Sequence, residues 1–323
     1  MAWVSSAYGL WIESEILLSE LSGVEESFSG EVDVTVRKGS CPLPQFFRSQ
    51  ERYFELNSQT AFLFWRDTGA FWLNQGREVI IEPSPGVADH LLRPVLLGTV
   101  LAVLLYQRGL LVLHASAVAL RKGEKISGAV GFLGDSGQGK STMATALYQC
   151  GHQPLADDTI ALTVPLPIDP NSNELTGKGR SNRTVVYPAL PHFKLRPPSI
   201  EVFGETKNTL TLWHPEQESY VFSTADKFSL EPAPLRCLYV LEDGDAIHLE
   251  LLPPHEALMN LLSHSYCMRI LPDADTGSDF LRCAQLARQI PVFRLRRPRD
   301  FRYLQDVVRL VEEHDKSSPL SSE

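Results

Sequence analysis

Residues 134 to 142 read Gly-Asp-Ser-Gly-Gln-Gly-Lys-Ser-Thr, and that order of residue types has a chemistry. Glycines at 134, 137 and 139 let the backbone turn its N–H groups inward, so Gly134, Asp135, Ser136, Gly137, Gln138 and Gly139 can wrap phosphate oxygens. A helix starting at Lys140 would aim its positive end at the same anion. Lys140 is then placed to reach the β- and γ-phosphates, Ser141 to ligate Mg²⁺, and Thr142 to complete the first turn against the nucleotide. The stretch therefore reads as a site for a nucleoside triphosphate, ATP or GTP, with Mg²⁺. Asp157 and Asp158 follow at the end of the run Pro154-Leu155-Ala156. Adjacent carboxylates beside such a loop can divide labour, one holding the metal while the other accepts a proton from an attacking hydroxyl.

Three further groups bear on that chemistry. His114 lies in the apolar run LLVLHASAV, where a lone histidine is usually a satisfied core residue. If its strand lies beside the one ending at Asp157, the imidazole can instead orient that carboxylate and tune its pKa. Lys194 and Arg196, in YPALPHFKLRPPS at 187 to 199, could reach a transferred phosphoryl group and offset its developing charge. The basic run RLRRPRDFR at 294 to 302 could dock an acidic acceptor or a phosphate, although charge runs usually face water.

The surrounding pattern supplies elements to hold these residues. GLLVLHASAVAL and AVGFLG are apolar strands joined by the charged turn RKGEK, a hairpin leading into the glycine loop. After the loop, Met143, Ala144, Ala146 and Leu147 make one apolar helical face, and Gly151 stands where a helix end favours a left-handed residue. Before it, VLLGTVLAVLLY at 95 to 106 predicts a buried helix starting near Pro94, short of the roughly 20 apolar residues that span a bilayer. Residues 168 to 190 predict an exposed polar loop, and LRCLYVLED with AIHLELL predict strands paired around Asp243-Gly244-Asp245. Helices are expected over EALMNLLSH and near 300 to 314. Short apolar stretches up to about residue 88 alternate with Gly/Pro breaks and read as mostly β. The expected organisation is a small N-terminal region at 1–88, a catalytic region at 89–318 and a disordered tail at 319–323.

Composition narrows the partners. The chain has 323 residues, 43% of them hydrophobic, with a net charge of −9. That balance disfavours nucleic acid, whose phosphates are met by concentrated Lys and Arg. Five cysteines without a CxxC pair signal neither a disulfide framework nor a zinc site. With no leader pattern and no membrane span expected, the cytoplasm is the expected compartment.

His114 in LHASAV, GDSGQGKS at 134 to 141 and GHQPLADD at 151 to 158 together resemble the bacterial HPr kinase/phosphorylase family. The resemblance covers residues 111 to 163 and is thin elsewhere. It implies an α/β fold, with a P-loop kinase domain of the HPr kinase and phosphoenolpyruvate carboxykinase type behind the small β-rich region. It also implies that Asp157 is the general base for an acceptor serine, with His114 near it and Asp158 at the metal or assisting the base. Thr142 departs from the family, which usually carries an acidic residue there, and the family's downstream glycine-containing signature has no match. The stretch at 187 to 199 instead looks like that of divergent members, whose acceptors are peptides or other hydroxyl compounds. The resemblance thus implies an ATP- and Mg²⁺-dependent kinase acting on a serine of a peptide or small protein, and assembly into homo-oligomers. Two other functions fit the same residues: a nucleotide-binding regulator with little catalysis, and a kinase of a small hydroxyl metabolite such as free serine.

Overall fold

Alternation of apolar and polar residues from Trp3 onward dictates strands with one buried face, as in Leu10–Ser14, where Leu10, Ile12 and Ser14 are buried and the residues between them less so. The computed structural model describes residues 2–25, 29–42, 49–57, 59–166, 183–214, 218–270 and 277–317. Most of the polar loop expected from residue 168, and all of the tail at 319–323, lie outside these. The fold is mixed α/β, with an eight-stranded sheet from the first part of the chain, a nine-stranded sheet carrying the glycine loop, and a three-stranded sheet beside it.

A single apolar core runs from Ala7, Ile12 and Phe71 of the first sheet through Leu101 and Leu104 to Leu113, Ala129 and Leu133 of the second. Tyr8, left-handed at φ +56°, ties the two directly, its N–H donating to the Pro188 carbonyl at 2.7 Å. The Tyr8 hydroxyl also donates to the Thr159 carbonyl at 3.4 Å, so the first sheet braces the residue just beyond the aspartate pair.

The helix expected to start near Pro94 begins earlier, at Asp89, and continues to Gln107 with Pro94 inside it. Proline removes one helical N–H, and the chain passes into a π turn over Leu96–Val100 immediately afterwards. Among the described residues this is the one helix long and apolar enough to cross a membrane, yet Leu92, Leu96, Leu97 and Leu101 to Leu105 are buried within the protein.

Strands Ala115–Lys122 and Lys125–Leu133 form the antiparallel hairpin that leads into the loop. The run GLLVLHASAVAL is not one strand, however, because it breaks at His114 between Leu111–Leu113 and Ala115–Lys122. A second expectation also fails. Ala233–Asp243 does not pair with His248–Leu251, since Val292–Arg297 inserts between them, parallel to the first and antiparallel to the second. That insertion carries the basic run to the loop. Residues 184 to 190, expected in an exposed loop, contain the strand Val185–Tyr187, with Thr184, Val186, Ala189 and Leu190 buried.

The helix Lys140–Gln149 packs Met143, Ala144, Ala146 and Leu147 against Val118, Val130 and Phe132 of the sheet and Val307, Val308 and Val311 of the last helix, Leu304–Ser317. Gly151, at φ +95°, stops it in the left-handed conformation.

Candidate active site

Gly137 and Gly139 both sit at φ +86°, a conformation that β-carbons resist, and Gly139 caps the helix N-terminus. A β-carbon on Gly139 would stand 2.9 Å from the guanidinium of Arg297. Lys140, 7% exposed, folds back along the loop and donates to the carbonyls of Gly134 at 2.7 Å and Asp135 at 3.2 Å. Burial lowers its pKa, opposed by the negative charges of Asp157 and Asp158.

The two aspartates occupy different surroundings. Asp157 is 6% exposed. It accepts hydrogen bonds from Ser116 Oγ at 2.5 Å, Ser141 Oγ at 2.8 Å and the Lys194 backbone N–H at 2.7 Å. Burial raises its pKa above the ordinary carboxylate value, while the Lys194 N–H and the Ser116 hydroxyl pull it back down. Asp158 adopts φ +67°, which short polar residues tolerate better than others, and its side chain is 38% exposed. Lys194 Nζ lies 3.1 Å from its Oδ2, and this charge, helped by His114, holds the carboxyl far below the usual range. Lys194 therefore clamps both residues, one through its backbone and one through its ammonium, which also stands 4.5 Å over the Trp213 ring.

The hydrogen-bond partner of His114 is Asp158, the neighbour of Asp157. The imidazole Nδ1 reaches the Asp158 carbonyl at 2.9 Å and Asp158 Oδ1 at 3.2 Å. A carbonyl only accepts, so Nδ1 carries the proton. The break in the strand at His114 permits this reach, with the His114 N–H donating instead to the His264 carbonyl at 2.8 Å.

These groups line one cavity of about 510 Å³. Ser136 through Thr142, His114, both aspartates, Lys194 and Arg196 all border it, whereas Gly134 and Asp135 do not and serve instead through the carbonyls that hold Lys140. Thr142 is buried, its hydroxyl sharing a 2.8 Å hydrogen bond with Ser199. Arg196 donates to Ser136 Oγ at 3.0 Å.

Four contributors were not singled out from sequence. Ser116 is one, two residues beyond His114. Arg297 and Arg299 donate to the loop carbonyls of Gln138 and Gly137, the latter at 2.9 Å. Trp213 closes the cavity beside Lys194. The run at 294 to 302 supplied a signal for the arginines, but not all of it reaches the loop: Arg294 is held by Glu242, Glu250 and Glu256, and Arg302 by Asp300.

The donor set suits a nucleotide with a hard divalent cation. Loop glycines leave room for phosphate oxygens, and Ser141 with the aspartates offers oxygen ligands of the kind Mg²⁺ takes. Among the described residues no group of three or more His, Cys, Asp and Glu side chains gathers into a self-contained metal site.

A mixed α/β chain with a glycine cradle facing paired carboxylates is the class that fold and site define. No protein-family model matches the chain, and no curated protein matches it. Among solved structures, one described as the HPr(Ser) kinase/phosphatase from Coxiella burnetii is similar over 63% of this chain and 95% of that one, at 14% identity and a TM-score of 0.31.

Proposed function

We propose that the protein is an ATP- and Mg²⁺-dependent kinase that transfers the γ-phosphoryl group to a serine hydroxyl of a peptide or small protein, and that it works in the cytoplasm. The observation that carries this reading is the 2.8 Å hydrogen bond from the loop hydroxyl of Ser141 to the buried carboxylate of Asp157. It sets a proton acceptor against the group that would ligate the cation, at the N-terminus of the loop helix.

In this reading the loop N–H groups and Lys140 hold the triphosphate, and Ser141 and Asp158 hold Mg²⁺. The cation would neutralise charge on the phosphate oxygens. Asp157 takes the acceptor's proton; its raised pKa suits it to the task more than the depressed one of Asp158. His114 and Lys194 keep Asp158 ionised and oriented. Arg297 and Arg299 hold the loop carbonyls, so that the N–H groups are fixed before substrate arrives.

The Ser141 contact also supports a second division of labour, in which Asp157 is the metal-side partner of the loop serine and Asp158 accepts the proton. Titration with Mg²⁺ separates the two. If Asp157 is the base, Asp157→Asn lowers kcat at an unchanged Mg²⁺ requirement, and Asp158→Asn raises that requirement. The reverse pattern transfers the roles. Nucleotide binding without phosphoryl transfer in the unmodified protein refutes the kinase and leaves the regulator.

A further inference from the structure

The cavity extends well past the phosphate loop. Beyond Lys140 and Ser141 its wall continues through Thr142 and Met143 to Pro198, then to Pro298, Phe301 and Tyr303. A nucleotide whose γ-phosphate meets Lys140 runs its α-phosphate toward the start of the following helix, which is the side where this apolar wall stands. Phe301 and Tyr303 are 42% and 40% exposed, unusually open for large aromatic residues. Both belong to a short 3₁₀ turn, Phe301–Tyr303, capped by Asp300, whose side chain accepts from the Arg302 N–H. That turn leads directly into the last helix, whose Leu304, Val307 and Val308 are buried against the loop helix, so the rings stand on a fixed base.

Polar side chains near these rings are already engaged. Both Asp300 carboxylate oxygens accept from Arg302, at 2.9 Å and 2.8 Å. The Ser199 hydroxyl is shared with Thr142, and Arg299 is held by the Gly137 carbonyl and faces Asp243 at 3.6 Å. Apart from the Tyr303 hydroxyl, which can donate to or accept from any base, the unpartnered buried side-chain oxygens lining the cavity among the described residues are Gln138 Oε1, in the glycine loop, and Ser219 Oγ, on the strand Ser219–Ser223. Both are closed to solvent, which leaves few groups to read a base edge.

We propose that Phe301 and Tyr303, with Pro298 and Pro198, form a stacking platform for the nucleobase that does not discriminate adenine from guanine. The proposal rests on the reading of the glycine loop as a nucleotide phosphate site and extends it to the nucleoside. Stacking on an aromatic face is tolerant of base identity because every base has a π-face, whereas discrimination needs hydrogen-bond partners aimed at the base edge. ATP and GTP should therefore bind with affinities within about tenfold of one another, by the worth of the few polar contacts left.

Calorimetric titration with ATP, GTP and inorganic tripolyphosphate, each with Mg²⁺, tests this. The variants are Phe301→Ala/Tyr303→Ala and the conservative Tyr303→Phe, with circular dichroism to check that each is folded. The expected result is about tenfold weaker binding of both nucleotides to the double variant, from loss of the stacking surface. Tripolyphosphate binding should not change, and Tyr303→Phe should behave as the unmodified protein. Unchanged nucleotide binding in the double variant overturns the platform, as does an equal loss for tripolyphosphate or a preference for one purine above about tenfold. If the unmodified protein binds neither ATP nor tripolyphosphate, the phosphate-site reading itself fails. If it binds tripolyphosphate as tightly as ATP, the platform fails alone.

Discussion

Removing the Ser116 hydroxyl should move the pH dependence of phosphoryl transfer without removing any group that touches the nucleotide. Ser116 is fully buried and donates the shortest of the three hydrogen bonds received by Asp157, at 2.5 Å. Hydrogen bonds to an ionised acceptor favour the charged form, so their loss raises the carboxylate pKa. Such a bond contributes about 1.5–3 kcal/mol. One pKa unit corresponds to about 1.4 kcal/mol, so the bond alone equals roughly one to two units. The Lys194 N–H and the Ser141 hydroxyl remain and compensate in part, leaving about one unit in Ser116→Ala. If ionised Asp157 is the base, the acid limb of the kcat/KM profile shifts up by that amount while the alkaline limb stays in place. The assay is phosphoryl transfer to a serine peptide across pH 5 to 8 at saturating Mg²⁺. An acid limb that does not move, in a folded variant that still binds ATP, refutes the assignment of Asp157 as the base.

Other outcomes follow from the same geometry. Lys140→Ala should abolish ATP binding in a calorimetric titration, because it removes the ammonium that the Gly134 and Asp135 carbonyls anchor inside the loop. Gly139→Ala forces a β-carbon into a left-handed backbone and against Arg297, and should destabilise the fold by roughly 1–2 kcal/mol in urea unfolding. His192 is buried and neutral, its pKa lowered by burial to about 3 from 6.5. The unfolded chain binds the extra proton, so stability falls as pH drops from 6.5 toward 3, and His192→Phe should flatten that part of the curve. Asp158 changes stability in the same direction: its depressed pKa adds stability at neutral pH that begins to be lost below the ordinary carboxylate value and goes only as pH falls through the depressed one. Asp158→Asn should therefore lose stability at pH 7 and keep most of that loss at pH 3, because the folded carboxyl is still ionised there; the loss is modest because solvent reaches the pair.

The loop and its helix were legible because their requirements are local. Glycine is the residue that enters φ +86° without strain, and the buried face of Met143 and Leu147 follows from helical period. The surroundings of the aspartates were not legible for reasons of distance. Lys194 meets Asp157 through its backbone N–H, which leaves no trace in residue type. Ser116 looks like any small residue in an apolar strand. His114 was visible as a polar interruption, but its partner Asp158 was not, and the strand break at His114 stands beside a bridge between Leu113 and Ser265, far away in sequence. The Asp243-Gly244-Asp245 turn suggested a hairpin because turn signals carry no information about a third strand arriving from residues 292 to 297. That same arrival delivers Arg297 and Arg299 to the loop.

The most direct test of the proposed chemistry is transfer of label from γ-labelled ATP with Mg²⁺ to a panel of serine peptides, comparing the unmodified protein with Asp157→Asn. Label on a peptide serine, lost in Asp157→Asn while ATP binding persists, is the predicted result. Tight ATP binding with no labelled serine in either protein, under conditions where both are folded, contradicts it.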